Sequence, residues 1–179
     1  MSQNDSLQTD HVRTMAAMLF EFIETQINRA DTKAGLILAA DTLFATTVTV
    51  LSKGALVNLF DNAVPPLPRL TALLTILMFV ALLISAVYAL IVARPILRIP
   101  KRDRTWFFFG RVAEATAPDF IQAFSSQTPE EIQVRLLNEV YTISLIAQRK
   151  FSRVQRSFDF LIAALLLWAA LQVLLAMAN

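Results

Sequence analysis

The sequence predicts an all-α integral membrane protein with three transmembrane helices. The first and last are expected to be continuous with long, parallel amphipathic cytoplasmic helices. Three observations predict this. Apolar residues make up 56% of the 179-residue chain and charged residues 17%, where a soluble domain runs at roughly 45–50% and about 25%. Three stretches are long and apolar enough to cross a hydrocarbon core, which takes about 20 residues at helical rise. Two further stretches repeat apolar residues every three or four positions, the period of one helix face.

The same composition excludes several kinds of chemistry. Without a cysteine there is no disulfide, thiolate zinc site or thiol nucleophile. A single His and three Gly leave no basis for a multi-His metal centre or a glycine-rich phosphate loop. No residues assemble a nucleophile, a base and an oxyanion stabiliser. No catalytic residue, enzyme activity or metal site is therefore expected.

The first element, residues 1–33, is a polar, amphipathic cytoplasmic helix. Val12, Ala16, Leu19, Ile23, Ile27, Ala30, Ala34 and Ile37 mark its apolar face, and Thr9 or Asp10 its start. It lacks the basic n-region and short apolar core of a signal peptide, so the first span reads as an internal anchor. That span, residues 34–52, is interrupted by Asp41 and four threonines. Residues 53–69 form a short extracytoplasmic loop stiffened by prolines. Residues 70–93 form the second span and carry no charge. Residues 94–127 make a basic cytoplasmic connector, with Trp106, Phe107, Phe108 and Phe109 suited to the membrane interface. A second cytoplasmic amphipathic helix covers 128–157. Thr128, Pro129 and Glu131 are placed as N-cap, first helical residue and capping-box acid. Its apolar face is Ile132, Leu136, Val140, Ile143, Ala147, Phe151, Val154 and Phe158. The third span is 158–178.

Positive charge orients the chain. Residues 94–157 hold eleven of the sixteen Lys and Arg, against two in the loop 53–69. The basic side lies in the cytoplasm, which places the N-terminus there as well. The two amphipathic helices then enter the membrane in the same direction and pack side by side. Such a pair serves either as a plain stalk or as a transmitter of ligand state.

Asp41 is the polar residue that most needs an explanation. An ionisable group within a span faces a bundle interior or a water-filled path. Gly35, Thr42, Thr46, Thr49 and Lys53 form a stripe at helical spacing. It suits either close helix packing or the lining of an oligomeric pore, since three spans cannot enclose a channel alone. Ser85, Tyr88 and Gln172 are the other polar groups in the spans.

Two segments are more specific than composition. One is Asn28-Arg29-Ala30-Asp31-Thr32-Lys33-Ala34-Gly35, before the first span. The other is Ile143-Ser144-Leu145-Ile146-Ala147-Gln148-Arg149-Lys150-Phe151, before the last. Together with the order of spans and cytoplasmic helices, they resemble the transmembrane effectors of Pycsar anti-phage systems. The resemblance implies a multi-pass protein of the bacterial inner membrane. It would sense a cyclic pyrimidine mononucleotide, cyclic CMP or cyclic UMP, made by a partner pyrimidine nucleotide cyclase. It would then impair the membrane in abortive infection, as a homo-oligomer in the lipid bilayer, with no nucleic-acid partner. A cyclic monophosphate needs one or two cations and a stacking partner. Lys33, Arg149, Lys150 and Arg153 supply the first, and Tyr141 and Phe151 the second. Asn28 or Asn138 is suited to a pyrimidine edge, and Asp31 with Lys33 to an ion pair that fixes helix register. The competing readings are a small helical anchor or scaffold that recruits cytoplasmic partners, and a constitutive channel subunit.

Overall fold

The computed structural model describes residues 3–51, 66–94, 112–113 and 115–178. Those residues form four helices: α1 (Gln3–Leu51), α2 (Pro66–Ala93), α3 (Ala117–Ser125) and α4 (Pro129–Ala178). Of these, α1, α2 and α4 are long and apolar enough to cross a membrane. The chain divides into two compact units. One comprises Met1–Arg29 and Pro95–Arg149, the other Ala30–Arg94 and Lys150–Asn179. Residues of α1 and α4 contribute to both units.

Helix boundaries follow local chemistry. At the start of α4 the backbone N–H of Glu131 donates to Thr128 Oγ1 (3.2 Å), and the Thr128 N–H donates to Glu131 Oε2 (3.1 Å). This is the expected capping box, with Pro129 at the first helical position. Removing it with Thr128→Ala should cost about 1 kcal/mol. The measurement is faster amide exchange confined to the first turn of α4. Unchanged exchange there would show that the cap contributes nothing.

Three boundaries differ from the sequence expectation. Helix α1 begins at Gln3 rather than at Thr9 or Asp10, because those residues are not obliged to act as caps. Helix α2 begins at Pro66, inside the proline cluster assigned to the loop, since proline is tolerated in a first turn where its missing N–H has no partner anyway. The connector contains a nine-residue helix, α3. Thr116 caps it by accepting the Asp119 N–H and donates its own hydroxyl to Asp119 Oδ2 (2.7 Å). Lys53, Arg98, Lys101, Arg102, Arg104 and the aromatic run at 106–109 lie outside the described residues.

In the first unit α4 buries Leu136, Glu139, Val140 and Ile143, and α1 buries Ala16. Leu19 of the expected α1 face is exposed.

The second unit is a packed three-helix core. Inward positions recur at alternating steps of three and four: Ala30, Ala34, Ile37, Asp41 and Val48 on α1, then Thr75, Met78, Leu82, Ser85, Ala89 and Val92 on α2. On α4 they are Lys150, Val154, Ser157, Leu161, Ala164 and Leu171. That is the seam spacing of interdigitating helices, and its alanines let backbones approach closely. Phe44 meets Trp168 edge-on at 5.8 Å between ring centroids. The opposite faces are apolar and exposed, as with Leu73, Leu77, Val80 and Leu83 on α2. A hydrocarbon solvent accepts such a surface, which water would not. Phe158, placed on the apolar face by spacing, is exposed, because the adjacent Ser157 holds the inward position.

Gly35 faces open space, with no atom within 4 Å of where a Cβ would stand. Gly35→Ala is therefore expected to fit and to stabilise α1 by about 0.5–1 kcal/mol. A lowered melting temperature in detergent would contradict this.

Candidate functional site

Two polar layers cross the apolar core of the second unit. The first joins the segment of α1 just after Arg29 to the segment of α4 just after Arg149. Lys150 Nζ donates to both carboxylate oxygens of Asp31, at 2.5 and 2.8 Å. The Lys150 side chain is only 8% exposed, whereas that of Asp31 is 38% exposed. Two residues on, Lys33 reaches the same partner segment, where its Nζ lies 5.6 Å from the centroid of the Phe151 ring. Asp31 and Lys33 on α1 thus cover the adjacent residues Lys150 and Phe151 on α4. Asp31 pairs with Lys150 across the helices and not with Lys33 along its own.

Further along the same helices lies the second layer, seven residues past Lys150 and ten past Asp31, or roughly 10–15 Å at helical rise. Asp41, Ser85 and Ser157 meet here, one from each helix, at 3%, 0% and 0% exposure. Ser85 Oγ has one hydrogen to give and lies 2.9 Å from both Asp41 Oδ2 and the Ser157 carbonyl. In return the Ser157 hydroxyl donates to the Ser85 carbonyl at 2.8 Å. The other carboxylate oxygen, Asp41 Oδ1, is buried without a hydrogen-bond partner among the described residues. A polar group kept in that condition costs stability. Beside this layer, Arg156 sits over the Tyr88 ring at 6.0 Å, and Tyr88 stacks on Phe160.

The sequence-predicted residues separate accordingly. Lys33, Lys150 and Arg153 belong to the second unit, and Arg153 is half-buried. Asn28, Tyr141 and Arg149 belong to the first, where all three are exposed, Tyr141 at 67%. Thr42, Thr46 and Thr49 are exposed, and their hydroxyls donate to the carbonyls of Leu38, Thr42 and Ala45 one turn back. Within the chain the threonines therefore satisfy themselves and leave the core to Asp41. Ser157 was missed by sequence reasoning. Its signal is its place in the buried spacing 150, 154, 157, 161, 164.

Chemically the first layer offers a buried ammonium, a second, exposed ammonium and an aromatic face, all suited to a small aromatic anion. The second layer offers a polar junction that can exist only while the three helices are packed. The family model described as the Pycsar effector protein domain, PycTM, matches residues 15–177. No curated protein and no solved structure matches the chain.

Proposed function

The chain belongs to the PycTM family of Pycsar anti-phage effectors, and from that premise we propose that it senses a cyclic pyrimidine mononucleotide and impairs the membrane in response. The ligand is cyclic CMP or cyclic UMP, supplied by a partner pyrimidine nucleotide cyclase. The outcome is abortive infection, in which the inner membrane fails before phage are released. The single observation that carries this reading is the family match over nearly the whole chain. Three helices able to cross a membrane support it, as does a charged layer suited to an anionic aromatic ligand.

In this reading residues 1–33, 94–127 and 128–157 are cytoplasmic, and the spans are 34–52, 70–93 and 158–178. The basic residues of 94–157 hold that orientation against the anionic inner leaflet. Lys33 and Lys150 of the second unit, with Arg153, contact the phosphate. Asn28, Tyr141 and Arg149 belong to the first unit and are not assigned to this contact. The exposed stripe of Thr42, Thr46 and Thr49 faces other copies of the chain in a homo-oligomer, which forms the leak.

Ligand binding biases the membrane helices because Lys33 and Lys150 stand on α1 and α4 within the same unit as the apolar segments of those helices. A ligand shifts such an equilibrium only by its difference in affinity for the two states, so its contacts must differ between resting and leaking protein.

The test is membrane potential in cells carrying this protein, with and without an inducible pyrimidine cyclase. Depolarisation is expected only when the cyclase runs. Depolarisation in neither condition, with the protein verified in the membrane, would favour a scaffold; leak in both would favour a constitutive channel. Lys33→Ala should raise the Kd for the cyclic nucleotide roughly tenfold, the loss of one charge-assisted hydrogen bond. Unchanged binding by calorimetry would remove Lys33 from the ligand contacts.

A further inference from the structure

We infer that Asp31 is a tethered stand-in for the ligand's phosphate, so that the resting protein holds its own sensing site shut. The inference rests on the proposed function and adds how that site is regulated. Two of the groups that α4 offers a cyclic monophosphate are already covered by residues of α1. The Lys150 ammonium is held by both carboxylate oxygens of Asp31, and the Phe151 ring lies under the Lys33 ammonium.

The exchange is balanced in charge. A carboxylate and a cyclic phosphodiester each carry one negative charge, so the ligand replaces Asp31 without leaving the nearly buried Lys150 unpaired. That condition matters, because an ammonium stripped of both water and counter-charge is strongly disfavoured. Asp31 can leave, since its side chain is more than a third exposed and regains hydration when released. Lys33, exposed two residues further along α1, follows the negative charge to the phosphate and uncovers the Phe151 ring for the base. Each of these movements breaks a contact between α1 and α4. Ligand binding and loosening of the helix pair are thus one event.

A site occupied by its own protein binds with an affinity reduced by the fraction of molecules in which it is open. Weakening the internal occupant must therefore tighten the ligand. The experiment titrates the full chain in lipid nanodiscs with cyclic CMP and with cyclic UMP, comparing wild type with Asp31→Asn. Asparagine keeps the size of the side chain and removes its charge. The expected result is binding roughly tenfold tighter or more in Asp31→Asn, with partial depolarisation of cells that lack the cyclase.

Equal or weaker binding by a folded Asp31→Asn protein, beside a wild type that does bind, overturns the inference and leaves the proposed function standing. Binding by neither protein removes the proposed function and the inference with it. Should Asp31→Asn not fold, the exchanged pair Asp31→Lys with Lys150→Asp decides. It rebuilds the ion pair but places a carboxylate where the phosphate must sit. It should retain wild-type thermal stability and lose nucleotide binding, and binding retained by the exchanged pair overturns the inference.

Discussion

Replacing Asp41 with leucine is expected to leave the three-helix core folded while abolishing cyclase-triggered depolarisation. The stability half of this expectation follows from hydrogen-bond bookkeeping. Removing a polar partner is costly when it orphans a buried group, and nearly neutral when an apolar side chain of similar shape leaves nothing orphaned. Asp41→Leu falls in the second class. The Ser85 hydroxyl, deprived of Asp41 Oδ2, still has the Ser157 carbonyl at 2.9 Å, and the buried, unpartnered Asp41 Oδ1 disappears. Unfolding in graded SDS should therefore show a change between zero and about 2 kcal/mol of added stability. The functional half follows from the rarity of such a group. Intramembrane carboxylates that contribute no stability are retained at ion or water pathways. Depolarisation equal to wild type in the leucine variant would exclude Asp41 from the leak.

The opposite outcome is expected for Ser157→Leu. Ser157 has no exposed surface, and its hydroxyl and carbonyl both bond to Ser85. A leucine there must push α4 away from α2, at about 1–3 kcal/mol for overpacking, and the lost hydroxyl bond adds about 1 kcal/mol. Displacing α4 also takes the Ser157 carbonyl from Ser85. Ser157→Ala, which loses only the hydroxyl, should cost about 1 kcal/mol. The pair is read by SDS unfolding of both variants. If leucine is tolerated as well as alanine, the helices are not in close contact at this layer.

Much of this arrangement was legible in the sequence. The three spans are apolar over lengths that leave little choice, and the capping residues at Thr128 and Glu131 carry their own geometry. Asp41 was readable as an interior group because lipid excludes the alternatives. Its partners were not, since a serine in an apolar helix looks the same whether it faces lipid or another helix. Phase was the second obstacle. A run such as Ser157-Phe158 lets hydrophobicity favour the phenylalanine, while small size favours the serine for the closest approach. In lipid, size decides. The pairing of Asp31 was unreadable for a different reason. Lys33 is two positions away and Lys150 is 119, yet residues two apart on a helix point to different sides. The short helix α3 is not legible from periodicity because nine residues hold fewer than three turns, although Thr116, Pro118 and Asp119 mark its start.

Polar contacts join helices α1 and α4 at two heights, directly through Asp31 with Lys150 and by way of Ser85 on α2 between Asp41 and Ser157. Two points of attachment remove the freedom that one would leave. A pair of rods pinned once can swivel about the pin, whereas a pair pinned twice can do so only by bending, and helices resist bending. If the outer pin is withdrawn, the inner one becomes a fulcrum. Gly35, the most pliant position on α1 between the two, lies on the long arm. The Asp41 junction then sets the pivot about which α1 turns, and its depth in the membrane decides how a small swing at Asp31 is divided between the two sides.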